Sequence, residues 1–212
     1  MYRRLQYLYV LVLAAILVSG CIAAPPKPSG PDSSGFVVRI GFTQMLSPAV
    51  YADILYIVRV DETTGIIQPD FITSNYASGG YAFYLNAEPG TYTIVGARAS
   101  SLGLVSSIYH VFFSEELVSK IRITVERGKL VFANSYAIGI QLGVTDADPV
   151  QKHYKSLIIP TVSTNDALMM LRREMVYSDV SFKEKSRDEA RDELIRRSRS
   201  LLPGSKWSTM IR

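Results

Sequence analysis

The chain has 212 residues, 48% hydrophobic and 20% charged, with a formal net charge of +4. That hydrophobic content excludes a disordered chain, which goes with low hydrophobicity and high net charge, and a charge so small and mixed gives no footprint for nucleic acid. One Cys excludes a disulfide framework and a cysteine-based zinc site, and the length suits one modest domain.

At the N-terminus, Arg3 and Arg4 precede residues 5–18, apolar apart from Gln6 and the tyrosine hydroxyls. Fourteen helical residues span about 21 Å, short of the roughly 30 Å of a hydrocarbon core. The segment therefore reads as the apolar part of a secretory signal rather than a membrane-spanning anchor. It ends in Val18-Ser19-Gly20-Cys21, an aliphatic residue and two small ones before the chain's sole thiol, and this order resembles the bacterial lipobox. The resemblance implies that residues 1–20 are a lipoprotein signal peptide. It also implies that Cys21, the new N-terminus, takes a diacylglycerol on sulfur and palmitate or a similar acyl group on its amine. Several acyl chains on one residue anchor stably where one would be marginal. Removal of residues 1–20 takes Arg3 and Arg4 with it and lowers the formal charge from +4 to +2. Residue 22 is Ile rather than Asp, so the inner-membrane retention signal of enteric lipoproteins is absent, which points to the outer membrane. Residues 21–35 are the acylated Cys followed by a stretch rich in Pro, Ser and Gly. This composition predicts an extended tether lifting the domain off the lipid.

From Phe36 the sequence turns to short runs of β-branched and aromatic residues. Strands are predicted over 36–42, 54–60, 81–85, 91–99, 104–113, 121–126 and 129–142. Seven strands within 36–145 predict a mainly β domain, a seven-stranded-type antiparallel β-sandwich. Alternation is clearest at Ile121, Ile123 and Val125, facing a core, with Arg122, Thr124 and Glu126 facing out. Arg127-Gly128 is expected as a hairpin turn because Gly accepts positive φ. Pro89-Gly90 is expected to start the strand holding Tyr92 and Ile94.

Residues 146–212 read as a C-terminal α-helical extension packed on the sandwich. Leu168, Leu171 and Met175 fall at helical spacing over 165–175. Ser186 and Glu189 form a capping-box pattern for a helix to about Leu202, with Ala190, Leu194, Ile195, Leu201 and Leu202 as its apolar side. Asp192–Arg196 and Glu193–Arg197 are favourable pairs four residues apart. Pro203-Gly204 ends the helix, and Trp207 is expected as a buried anchor.

The segment Glu88-Pro89-Gly90-Thr91-Tyr92-Thr93-Ile94-Val95, followed by Ile123-Thr124-Val125-Glu126-Arg127-Gly128-Lys129, resembles the paired strand signatures of small bacterial lipoprotein domains. These are similar to the transthyretin-like or carboxypeptidase-regulatory-like β-sandwich, and the resemblance covers roughly residues 36–145. It implies an adhesive or accessory module and carries over no functional residue beyond Cys21.

Side chains with chemical potential are sparse. His110 lies in a predicted strand and His153 beyond the sheet, without metal-ligand spacing. Neither a nucleophile elbow nor a phosphate loop occurs. Asp146 and Asp148 could offer alternating oxygens to calcium, but Pro149-Val150 interrupts the EF-hand pattern. Asp188, Glu189, Asp192 and Glu193 alternate with arginines, as on a solvated helix face. Tyr81, Phe83 and Leu85 share one face of a strand and Ala82, Tyr84 and Asn86 the other, so a tyrosine could serve a glycan platform or pack in a core.

The expectation is a lipid-anchored envelope lipoprotein, held in the bilayer through acylated Cys21. It would act as a non-enzymatic module that binds or scaffolds an envelope protein or glycan, without cofactor, metal or nucleic acid. The alternatives are an envelope-polymer hydrolase using loop carboxylates such as Asp53, Asp61 or Asp70, and a glycan-binding domain.

Overall fold

A computed structural model describes residues 24–44, 47–61, 63–65, 67–101, 107–141, 147–165, 172–184 and 186–211. The signal sequence, Cys21 and Asp146 lie outside the described residues. The fold is mainly β and sandwich-like. Among the described residues ten strands run in the order β1 (Ser34–Gln44), β2 (Ser47–Val60), β3 (Ile67–Thr73), β4 (Tyr76–Ser78), β5 (Tyr81–Ala87), β6 (Gly90–Ser101), β7 (Ser107–Phe112), β8 (Arg122–Val125), β9 (Leu130–Gln141) and β10 (Arg172–Glu184). Helix α1 (Glu115–Lys120) lies between β7 and β8, α2 (Pro149–Asn165) between β9 and β10, and α3 (Arg187–Leu201) follows β10. A short 3-10 helix, Lys206–Thr209, comes last.

β1 organises the sheets. One edge pairs in parallel with β9, while the other is shared between β5 along 34–38 and β2 along 41–44. β6 is shared likewise, with β8 on 90–93 and β7 on 96–101 opposite its β2 edge. At the end where β1 starts, two sheets face each other, β4-β5-β1-β9 and β3-β2-β6-β8. Toward the other end β10 pairs with both β7 and β9, and β1 pairs with β2. Those pairings close β1-β2-β6-β7-β10-β9 into a ring of six strands.

The alternation of side chains explains two cores rather than one. Phe36, Val38, Ile40 and Phe42 of β1 point inward to the main core, whose open side is filled by Leu117 and Val118 of α1 and by Tyr154 and Ile158 of α2. Val37 points outward yet is buried, because α3 and the C-terminal turn cover that face. The second core joins Val37, Tyr81, Phe83, Leu85, Leu130 and Phe132 to Ala190, Leu194, Leu201, Leu202 and Trp207. Ile195 is 43% exposed and turns away from it. The register shifts between Val37 and Arg39, so that Ala133 and Asn134 of β9 stand opposite the single Val38 of β1. The Asn134 side chain accepts from Ser135 N–H at 2.7 Å, and beyond this bulge Tyr136, Ile138 and Ile140 face inward.

Several expectations are corrected. The Arg127-Gly128 turn exists, with Gly128 at φ +70°, but it is not a hairpin. β8 pairs with β6 and β9 with β1, so the turn carries the chain from one sheet to the other. The helix expected over 165–175 is corrected at its end, since residues 172–175 belong to β10, while Leu168 and Leu171 lie outside the described residues. The C-terminal part of the chain thus contributes a strand inside the sheet as well as helices. Ser186 stands at the N-cap of α3 without a side-chain capping bond.

Candidate functional site

The carboxylates considered for catalysis do not converge. Asp53 lies midway along β2 and Asp61 just beyond its end, eight residues or about 26 Å apart at strand rise. Asp53 accepts from Arg98 Nε at 2.9 Å and from the Ser100 hydroxyl at 2.7 Å. Asp61 accepts from the backbone N–H groups of Thr63 and Thr64 at 2.9 and 2.8 Å, closing a turn. The Thr64 N–H, then the Thr64 hydroxyl and the Thr63 N–H, hold its carboxyl below the usual range. Asp70 is exposed on β3. Among the described residues, no three His, Cys, Asp or Glu side chains are grouped to hold a metal ion.

Asp148 caps two helices. Its Oδ1 accepts from Gln151 N–H at 2.8 Å while Gln151 Oε1 accepts from Asp148 N–H at 3.0 Å, a reciprocal capping box for α2 with Pro149 at the first helical position. Its Oδ2 accepts from Glu115 N–H, at the start of α1, at 2.9 Å. His110 is fully buried with Nδ1 2.7 Å from the Tyr56 hydroxyl and the two rings stacked. His153 is exposed on α2 with its ring against Tyr154.

Tyr81 is no surface platform: it is 1% exposed, under α3. Arg39 and Arg197 approach its ring at 5.4 and 5.8 Å, and Glu193 pairs with both arginines, at 3.3 and 3.4 Å. Burial, with the nearby Glu193 charge, pushes the Tyr81 hydroxyl above its usual range. Tyr84 is half-buried, edge-on to Phe36 and Tyr92. Of the acids on α3, Asp188, Glu189 and Asp192 are exposed, as expected of a solvated face.

The most elaborate constellation involves the segment preceding β1, which is not a free tether. Asn86, at φ +60°, a conformation open to Asn at low cost, presents its side-chain amide to this segment. Its Oδ1 accepts from Ser29 N–H at 2.9 Å and its Nδ2 donates to the Lys27 carbonyl at 2.9 Å. Trp207, fully buried, donates from Nε1 to the Pro26 carbonyl at 2.7 Å. Gly30 and Ser33 close a turn that contains Asp32, whose carbonyl accepts from Gly128 N–H at 3.2 Å. Gly128 N–H also donates to the Ser34 hydroxyl at 2.9 Å. A recess of about 380 Å³ lies between this segment and the C-terminal turn, lined by Ala24, Pro25, Lys27, Pro203, Gly204 and Lys206 among others. Lys27 and Lys206 are exposed, and neither has a carboxylate within ion-pair distance among the described residues.

Sequence reasoning missed Asn86 and Asp148 in these roles. Asn86 gave no signal, but the Asp-Pro-Val-Gln order at 148–151 is a helix start in its own right. No protein-family model matches the chain, and no curated protein is similar to it.

Proposed function

We propose that the chain is a lipid-anchored lipoprotein of the cell envelope, placed in the outer rather than the inner membrane, whose domain is a non-enzymatic module that binds or scaffolds another envelope component. One observation carries this reading: the unbroken order of Arg3-Arg4, the apolar run 5–18 and Val18-Ser19-Gly20-Cys21, which ends on the chain's sole thiol. Asp53, Asp61 and Asp148 are engaged in an ion pair, a turn and helix caps, which favours a module over a hydrolase. The sandwich and its Pro89-Gly90 strand start support the similarity to transthyretin-like accessory domains.

The test is metabolic labelling with palmitate in cells expressing the full chain. Label on the wild type and none on Cys21→Ala is the expected result, and equal labelling of both would sink the reading. Crosslinking in intact cells then identifies the component the domain touches.

A further inference from the structure

The lipid-anchor reading leaves open how the domain sits on the bilayer, and the pinned N-terminal segment answers that. If residues 24–33 were a free tether, the thirteen residues from Cys21 to Ser34 could reach about 45 Å at full extension. They are instead fixed at three points: the Pro26 carbonyl by Trp207, the Lys27 carbonyl and the Ser29 N–H by Asn86. From Cys21 to the first fixed group, at Pro26, the leash is then five residues long, at most about 18 Å. β1 leads away from this end for 11 residues, about 36 Å at strand rise, so its far end, where it pairs with β2 and the ring closes, lies beyond the leash's reach. Lys27 and Lys206 both sit at the leash end, and the charge of each is uncommitted to an acid among the described residues.

We propose that the end of the domain formed by Ala24, Pro25, Lys27, Pro203 and Lys206 rests directly on the bilayer that holds Cys21, with the two lysines against anionic lipid headgroups. The inference rests on the lipid-anchor reading and adds an orientation to it. Each lysine held near an anionic surface contributes attraction that decays within a Debye length, so a short leash is what lets two charges count. The module's partner-facing surface is then the opposite end and the flanks, never the C-terminal turn.

Trp207, the sole tryptophan, stands at this end and reports the geometry. Full-length acylated protein is reconstituted in phosphatidylcholine vesicles containing about one-third phosphatidylglycerol and a dansyl-labelled phosphatidylethanolamine. Energy transfer from Trp207 to the dansyl headgroups is compared with that of a variant carrying about fifteen Gly/Ser residues inserted between Ile22 and Ala23, a flexible chain of roughly 20 Å mean reach. Transfer efficiency at least twofold higher in the uninserted protein is expected, and equal efficiencies overturn the orientation. Lys27→Glu with Lys206→Glu should lower the efficiency on these vesicles and leave it unchanged on phosphatidylcholine alone. No loss on the anionic vesicles overturns the headgroup contact. Intact mass separates the two levels of the argument: a chain without acyl groups on Cys21 overturns the anchor itself, whereas an acylated chain with equal transfer overturns only the orientation.

Discussion

The indole Nε1 of Trp207 donates to the Pro26 carbonyl at 2.7 Å, joining residues 181 positions apart. The ring fills the second core and its one polar atom is satisfied by the segment that leads into β1, so the C-terminal turn and the start of the domain hold each other. Trp207→Phe keeps most of the apolar contact and deletes the donor, and should cost about 1 kcal/mol. Trp207→Ala should cost about 3–5 kcal/mol. Urea denaturation followed by circular dichroism checks both, and an alanine variant as stable as wild type would remove Trp207 from the core.

Asn86→Ala removes both amide bonds to the N-terminal segment and leaves a residue without a local hydrogen-bonding side chain at φ +60°. Hydrogen exchange at the Ser29 amide, which donates to Asn86 Oδ1, should accelerate at least tenfold while amides in the middle of β6 stay protected. Unchanged exchange at Ser29 would show that the clamp is not what holds the segment.

Asp148→Ala strips a side-chain acceptor from two helix starts at once. A lost N-cap costs about 1 kcal/mol, so a loss of about 2 kcal/mol is expected, and Asp148→Asn should retain part of it. Calcium should not shift the wild-type melting temperature, since both carboxylate oxygens already accept backbone N–H bonds; a shift of several degrees would contradict this assignment.

Two buried tyrosines of the second core differ in a way that Phe substitution reveals. The Tyr76 hydroxyl donates to the Leu201 carbonyl at 2.7 Å, and Tyr76→Phe should cost about 1–2 kcal/mol. The Tyr81 hydroxyl is buried beside the Arg39 guanidinium but makes no hydrogen bond of normal geometry among the described residues, so Tyr81→Phe should leave the melting temperature unchanged or raise it. A loss at Tyr81 matching that at Tyr76 would contradict the asymmetry.

Burial raises the hydroxyl pKa of Tyr81, Tyr84, Tyr92 and Tyr154, with Glu193 adding to the effect at Tyr81 and Glu88 at Tyr84. The folded chain therefore keeps these protons where unfolded tyrosines, near pKa 10, release them. Their contribution to stability is fully present below about pH 10 and is lost as pH rises through the raised values. The midpoint of urea unfolding should fall from pH 9.5 to 11, in step with tyrosinate absorbance. A midpoint constant across that range would contradict it.

The sequence revealed faces better than neighbours. Ile121, Ile123 and Val125 alternate as a strand must, and all three are buried, but alternation says nothing about which strand lies alongside, and the adjacent turn points to β9 where the partner is β6. Gly128 was legible because only its backbone conformation matters: a Cβ there would meet nothing within 4 Å. Gly35 was not, because its role is tertiary. A Cβ on it would lie 2.6 Å from the Tyr84 carbonyl, a strand far off in sequence. The spacing of Leu168, Leu171 and Met175 carries a helix to residue 175, but β10 takes over from Arg172, as the β-branched and aromatic Val176, Tyr177, Val180 and Phe182 require. The pinning of residues 24–33 was invisible for a similar reason: composition marks them as unable to form a core, yet three backbone groups find acceptors and donors on Asn86 and Trp207.

The ring of six strands also sets an order of events during synthesis. Until residues 172–184 leave the ribosome, β7 and β9 have no partner on their facing edges, and a nascent chain ending at residue 165 would carry two open ladders able to pair with any other extended polypeptide. Only the arrival of β10 joins them, and this pairing spans contacts as remote in sequence as Arg172 and Ser107, a slow kind of closure. A chain built this way stays loose until its last quarter is made. An early stop mutation here is therefore a source of aggregation rather than of shortened but folded protein.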